Sequence, residues 1–410
     1  MVLNYLWVSF FLIAFVLAST QAFFYGNTQV FQQMVKATLE ASETGFQVAL
    51  GLTGTMTMWL GFMKIGEKAG IVNVLAFLFG PFFRRLFPEI PPNHPSLTPI
   101  FMKFSMNILG LDNASTPLGI KAMKEMQDLN PSPDTASNAQ IMFTVLNTTG
   151  LTLIPITIIA YRVQYGAQNP TDIFMPIILA TSITNISALL MVAFIQKINV
   201  FNKVFLAYLG VFVTFLLGIV LYFAYLPPSE ISRVSGFMSN FLLFSLIITF
   251  ISMAVWQQVN VYEAFIEGAK EGFEVAIRII PYLVGILVGI AVFRASGALE
   301  FMLNSLKYLL QEAGVEGEYS FALPVAFLKP LSGTGASGMM QDIMKTYGPD
   351  SFMGYLACVF QGTTDTTLYI IAVYFGAVNI KKIRYTATVG LLADVIGLTA
   401  AIWIAYFFFF

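Results

Sequence analysis

Two short stretches place oxygen-bearing side chains inside apolar runs. "FQGTTDTTLY", residues 360–369, holds Gln361, Thr363, Thr364, Asp365, Thr366 and Thr367, and "LNTTGLTLIP", residues 146–155, holds Asn147, Thr148 and Thr149 before Pro155 breaks the helix. Hydroxyl, amide and carbonyl oxygens are what hard cations bind. A carboxylate costs about 2.5–3.5 kcal/mol at the centre of a membrane helix on insertion scales, so Asp365 is functional by default in such a place. Asn147, Thr148, Thr149 and Asp365 are the candidate ion-coupling residues, and Gln361, Thr363 and Thr364 the candidate solute contacts. A structural hydrogen-bond network between helices is the alternative, because Ser and Thr readily satisfy neighbouring groups inside spans. Asp394 is a further acid in an apolar setting, and Asp172 reads as a helix cap.

A second pair of stretches reads as backbone breaks. In "GLDNASTPLG", residues 110–119, Gly, Asp, Asn, Ser, Thr and Pro arrive together after the apolar run 99–109. "PLSGTGASGMMQDIMK", residues 330–345, is its counterpart. Lipid cannot hydrogen-bond a free N–H or C=O, so irregular backbone at membrane depth must be buried in protein or line a wet cavity. Each stretch reads as the tip of a re-entrant hairpin. In the first, residues 116–129 return as a helix with Pro117 in the first turn and Ser115 or Thr116 as cap. Asp112, Asn113, Ser115 and Thr116 at one tip, and Ser332, Thr334 and Ser337 at the other, are candidate solute-binding residues. One Gly/Ser/Thr cluster alone would be an ordinary surface loop; two at matching places favour hairpins.

The elements that position these residues are membrane helices. Of 410 residues 57% are hydrophobic and 10% charged, against near 25% charged in soluble domains, and the mean hydropathy is +0.76. Several runs reach the roughly 20 apolar residues a bilayer crossing needs. Nine spans are expected, near 3–25, 45–65, 137–162, 172–196, 203–226, 237–258, 273–294, 351–376 and 385–410. The first lacks the basic segment of a signal peptide and reads as a retained span. The mixed-charge segments 40–43 and 263–274 read as surface helices.

A net charge of −1 speaks against a nucleic-acid partner; the lipid bilayer and a small solute are the partners expected. With Cys358 and His94 alone of their kinds, neither a disulfide within the chain nor a Cys- or His-built metal centre is available. No nucleophile motif is present, so no enzyme is expected. No cofactor is expected beyond a coupling Na⁺ or H⁺.

The sequence also repeats. "GFQVAL" at residues 45–50 matches "GFEVAI" at 272–277, and "NTTGLTLI" at 147–154 matches "GTTDTTLY" at 362–369. Four spans precede a single linker span and four follow it, so the second repeat begins on the opposite face. The fold expected is an all-α polytopic membrane protein of two inverted-topology repeats with re-entrant hairpins and about nine spanning helices. Residues 1–200 form the first repeat, 201–235 the linker helix and 236–410 the second. Inverted repeats with broken helices are a transporter signature. Twelve Lys and Arg, among them Lys64, Arg84, Lys121 and Lys382, fall on one side, and six, among them Arg162 and Arg294, on the other. That bias places the protein in the cytoplasmic membrane with its N-terminus inside and its C-terminus outside.

The residues carry a family resemblance. "LGLDNASTP" and "DTASNAQIMFTVLNTTGLTLIP" resemble spore maturation protein A, and "KPLSGTGASGMMQDIMKTYG" and "CVFQGTTDTTLYIIAVYFGAVNIKKIRY" resemble spore maturation protein B. The chain is similar to a fusion of the two. Both belong to the group with a nucleoside-recognition, or gate, domain, which includes concentrative nucleoside transporters and the membrane part of ferrous-iron permeases. The resemblance implies hairpin tips and broken helices that hold a solute and a coupling cation, at the tip and break residues named above. The Cys-containing hairpin of the iron permeases and the Gln-Ser-Glu tip that reads nucleosides are both absent, so neither substrate carries over. The function expected is secondary transport of a small polar or anionic solute, by a dimer or trimer. The alternative is a non-transporting membrane protein with a structural or regulatory role in envelope maturation.

Overall fold

The computed structural model describes residues 2–92, 94–109, 112–152, 154–312 and 318–409. In chain order the helices are α1 (Val2–Phe24), α2 (Val30–Lys68), α3 (Ile71–Leu86), α4 (Leu97–Ile108), α5 (Asp112–Asp128) and α6 (Asn138–Thr149). Then follow α7 (Ile156–Gln164), α8 (Phe174–Ile195), α9 (Lys203–Ala224), α10 (Pro228–Trp256), α11 (Val261–Ala295) and α12 (Ala298–Glu312). After a 3₁₀ turn at Glu318–Phe321 come α13 (Leu323–Leu328), α14 (Gly333–Tyr347), α15 (Phe352–Thr363), α16 (Thr367–Gly376) and α17 (Thr386–Phe409). The described residues contain no strand.

Among the described residues, seven segments are long and apolar enough to cross a membrane: most of α1, then α2, α8, α9, most of α10, the α15–α16 pair and α17. Their outward faces carry exposed large apolar side chains, such as Phe15, Val211, Phe215, Phe244 and Trp403. Of the nine spans expected, 137–162 and 273–294 are not among these seven. Residues 137–162 form two helices of 12 and 9 residues, because Gly150 ends α6 in the left-handed region (φ 44°) and Pro155 precedes α7. Residues 273–294 lie within the unbroken 35-residue α11. The acidic segments at 40–43 and 263–274 are not separate surface helices; each continues a long helix, α2 or α11.

The chain divides into two compact units, and each draws on both halves of the sequence. The first comprises Met1–Trp59, Thr157–Pro170 and Ala269–Gln361. Here Trp7 donates its indole N–H to the Gly285 carbonyl at 2.8 Å, and Gln21 donates to the Ser296 carbonyl at 2.8 Å, fixing α1. α2 and α11 approach through glycine: a Cβ at Gly45 would lie 3.0 Å from Val284 Cα, and one at Gly272 would lie 2.7 Å from Thr57 Cα. As residue numbers rise along α2 they fall along α11, so the helices are antiparallel there. Arg162 on α7 is fully buried; it donates to the carbonyls of Pro349 (2.6 Å) and Pro170 (3.2 Å) and to Asp350 Oδ1 (3.0 Å).

The second unit comprises Leu60–Ile156, Thr171–Gly268 and Gly362–Phe410. α17 lies along α8, α4 packs between α3 and α5, and α6 sits against α8, α16 and α17. An aromatic ladder runs through this core: Phe83 stacks on Phe104 (centroids 4.7 Å), Phe104 meets Phe143 edge-on (5.6 Å), and Phe143 meets Tyr374 (5.3 Å). A polar loop closes one end. The N–H groups of Lys381 and Lys382 donate to the Asp134 carbonyl at 2.9 Å, and Ala136 N donates to the Lys382 carbonyl at 3.0 Å.

Two local expectations are corrected. α5 begins at Asp112, so Pro117 lies inside the helix and neither Ser115 nor Thr116 is its cap. Pro117 has no N–H to bond the carbonyl four residues back, that of Asn113. The N-cap of α8 is Ile173, and Asp172 is 1% exposed just before it.

Candidate functional site

Asn147, Thr148 and Thr149 end α6, and Thr364, Asp365 and Thr366 separate α15 from α16. In the second unit these two interruptions touch. Asp365 N donates to the Thr148 carbonyl at 2.9 Å, and Thr364 Oγ1 lies 3.0 Å from the same oxygen. The last carbonyls of a helix have no partner within it, and here the start of the opposite break supplies one. A Cβ at Gly150 would lie 3.3 Å from Asp365 Cβ, so the segments meet with no side chain between them at that point. α8 completes the lining: Thr181 Oγ1 donates to the Gly150 carbonyl at 3.1 Å, and Asn185 Nδ2 donates to Thr149 Oγ1 at 2.9 Å.

Two carboxyl groups stand at the N-terminus of α16, the end whose dipole favours negative charge. Asp365 is half-buried, and its Oδ1 accepts from Thr366 N at 2.6 Å. Asp394, from the middle of α17, is 1% exposed; its oxygens accept from Thr364 Oγ1 at 2.5 Å and Thr367 Oγ1 at 2.6 Å. Thr363 is fully buried at the end of α15.

In the same unit, Ser115 is fully buried and bonded to Lys103 and Asn107, and Asn107 Nδ2 donates to Asn147 Oδ1 at 3.0 Å. The α4–α5 pair is thus joined to the α6 break. Thr116 is half-buried, and the side chains of Asp112 and Asn113 lie outside the described residues.

The first unit holds the other candidates. Ser332 caps α14, accepting from Gly335 N at 3.0 Å, and lies 3.4 Å from Thr334 Oγ1. Thr334 is exposed and Ser337 half-buried. Gln341 Nε2 donates to the Ser337 carbonyl at 3.2 Å, and Tyr165 Oη donates to Gln341 Oε1 at 3.5 Å. Gln361 Nε2 donates to the Gly333 carbonyl at 3.4 Å, while its Oε1 is buried with no hydrogen-bond partner among the described residues. The residues named from sequence therefore gather as two sets, one per unit. Lys103, Asn107, Asn185 and Thr181 join them through pairings 12 or more residues apart, and Gln341 joins Ser337 from one turn along α14.

The chain matches the family model described as Gate, nucleoside recognition, over residues 49–164 and 276–381. It is 54% identical to spore maturation protein B of Bacillus subtilis (strain 168) over 153 residues, 37% of this chain and 84% of that protein. It is 39% identical to spore maturation protein A of the same organism over 187 residues, 46% of this chain and 92% of that protein. Similarity over most of the length of two separate proteins is what a fusion of the two would give. The chain belongs to the Gate, or nucleoside-recognition, family of membrane proteins.

Proposed function

We propose that the chain is a secondary transporter of a small polar or anionic solute, built from two inverted repeats that each carry a re-entrant hairpin. The observation that carries this reading is the contact between the two breaks. The repeat matches Asn147 to Gly362, a shift that pairs Gly150 with Asp365, and these equivalent positions meet each other. Equivalent residues meet where a local two-fold axis passes. The α2–α11 contact supports the same relation, because the shift that pairs Gly45 with Gly272 also pairs Thr57 with Val284. Two separate matches to one family model agree with a duplication.

The hairpin reading draws on length. α4 has 12 residues and α5 has 17, about 18 and 26 Å of helix, whereas the hydrocarbon core is about 30 Å thick. Neither arm crosses alone. Asp112, Asn113, Ser115 and Thr116, with Ser332, Thr334, Ser337, Gln361, Thr363 and Thr364, are proposed to contact the solute. Asn147, Thr148, Thr149 and Asp365 are proposed to sense a coupling ion at the break. The proposed setting is the cytoplasmic membrane, N-terminus inside, as a dimer or trimer without enzymatic activity.

The test is uptake into proteoliposomes of small carboxylates, phosphates, amino acids and sugars under imposed Na⁺ and pH gradients. Saturable uptake that falls at least about tenfold, the size of a 1.4 kcal/mol loss, in Asp365→Ala is expected. Undiminished uptake in that variant removes the role given to Asp365.

A second reading has one observation in its favour. Thr148 and Thr149 are fully buried, and Asp394 and Thr364 nearly so, with their oxygens bonded inside the protein. A closed network of this kind also suits a non-transporting protein with a structural or regulatory role in envelope maturation. Sealed vesicles with correctly folded protein and no flux of any class would favour it.

A further inference from the structure

Lys103 lies on α4 at 4% exposure, among residues of both arms of the α4–α5 pair. Its Nζ donates to Asn107 Oδ1 and, at 2.8 Å, to Ser115 Oγ. Ser115 Oγ donates to Asn107 Oδ1 at 3.1 Å, Asn107 Nδ2 to Asn147 Oδ1 at 3.0 Å, and Asn147 Nδ2 to the Phe143 carbonyl at 2.7 Å. Both asparagines are buried. An ammonium has donors and no acceptor, so it fixes the direction of the whole chain of bonds. Asn107 must turn its oxygen toward Lys103 and its nitrogen toward Asn147, which then turns its own oxygen toward Asn107.

That polarity, oxygens inward and N–H groups outward, is the one a bare monovalent cation imposes. Hard cations take amide and hydroxyl oxygens of this type. A buried ammonium is unfavourable unless its bonds are met, and an apolar side chain would fill the same space without that cost. The oxygen cluster also joins the α4–α5 pair to α6, the helix that ends at the break. We propose that Lys103 is a built-in cation: its ammonium fills an oxygen cluster of the kind a free Na⁺ would occupy, so the site's positive charge is supplied covalently. Resting on the transporter reading, the consequence is that transport needs no Na⁺ at this cluster.

The inference is tested on purified full-length protein in detergent, by thermal unfolding in NaCl, KCl and choline chloride at equal ionic strength. The wild-type protein is expected to show no Na⁺-specific rise that depends on Ser115. Lys103→Ala vacates the cluster, and should gain a saturable, Na⁺-specific rise of about 2 °C at tenfold excess over Kd. Adding Ser115→Ala should abolish that gain, and Lys103→Arg should stay insensitive to Na⁺. The inference is overturned if folded Lys103→Ala unfolds identically in the three salts. It is also overturned if the wild type already shows a Na⁺-specific rise that Ser115→Ala removes. Should Lys103→Ala not fold, Lys103→Ser carries the same two outcomes. In proteoliposomes, uptake by Lys103→Ala should gain a Na⁺ stimulation over that of the wild type, and adding Ser115→Ala should remove that gain. Absence of uptake altogether counts against the transporter reading, and the unfolding test still decides the role of Lys103.

Discussion

Asp394→Ala probes how the break at 364–366 is held. The carboxyl group is 1% exposed, and it accepts from Thr364 Oγ1 at 2.5 Å and Thr367 Oγ1 at 2.6 Å. Truncation does not orphan both hydroxyls. Thr364 Oγ1 has a second acceptor, the Thr148 carbonyl at 3.0 Å, and can turn to it. Thr367 Oγ1 has no other hydrogen-bond partner among the described residues and is fully buried. One buried unsatisfied hydroxyl costs about 1–3 kcal/mol, so the variant should lose about that much stability. Thr367→Val removes the orphan in advance. The double variant should therefore be less destabilised than the sum of the singles, with a coupling of about 1–2 kcal/mol. The assay is a double-mutant cycle by equilibrium unfolding in detergent. Singles that add within about 0.5 kcal/mol refute the reasoning, because independent sites behave that way.

Gly150→Ala places a Cβ at φ 44°, 3.3 Å from Asp365 Cβ; it should cost about 1–2 kcal/mol and lower the unfolding temperature. Arg162→Met leaves the carbonyls of Pro170 and Pro349 and the Asp350 carboxylate without their cation; a loss of about 3–5 kcal/mol is expected, read by unfolding or by yield of folded protein. Asp134 predicts an acid dependence. Its bond to Thr135 and then its pairing with Lys382 hold the carboxyl below the usual range. A depressed folded-state value stabilises the loop above the unfolded carboxylate range, about pH 4, and that contribution is lost as the pH falls through the lower folded value. Limited proteolysis near Ser132 should speed up in acid in the wild type, and Asp134→Asn should flatten that response.

The spans and breaks were legible for simple reasons. Long apolar runs have few other fates, and Gly150 with Pro155 cannot continue a helix. Pro117 suits a first turn and so points to a helix start near Thr116, whereas α5 begins at Asp112 and takes the proline inside. Candidate site residues were visible as polar side chains in apolar runs, but their partners were not. Nothing local in "MKFSMNI" or "LLADVIG" says that Lys103 reaches Ser115 or that Asp394 reaches Thr367. Those pairings depend on which helices pack together, and helical periodicity names a face without naming its neighbour.

The measurement that bears most directly on the central claim is the sidedness of the α4–α5 pair in sealed vesicles. In a Cys358→Ala background, Pro92→Cys before α4 and Ser132→Cys after α5, both exposed, are labelled with a membrane-impermeant thiol reagent from one face at a time. A hairpin that enters and leaves by the same leaflet predicts labelling of both from one face and of neither from the other. Labelling of the two positions from opposite faces would contradict it.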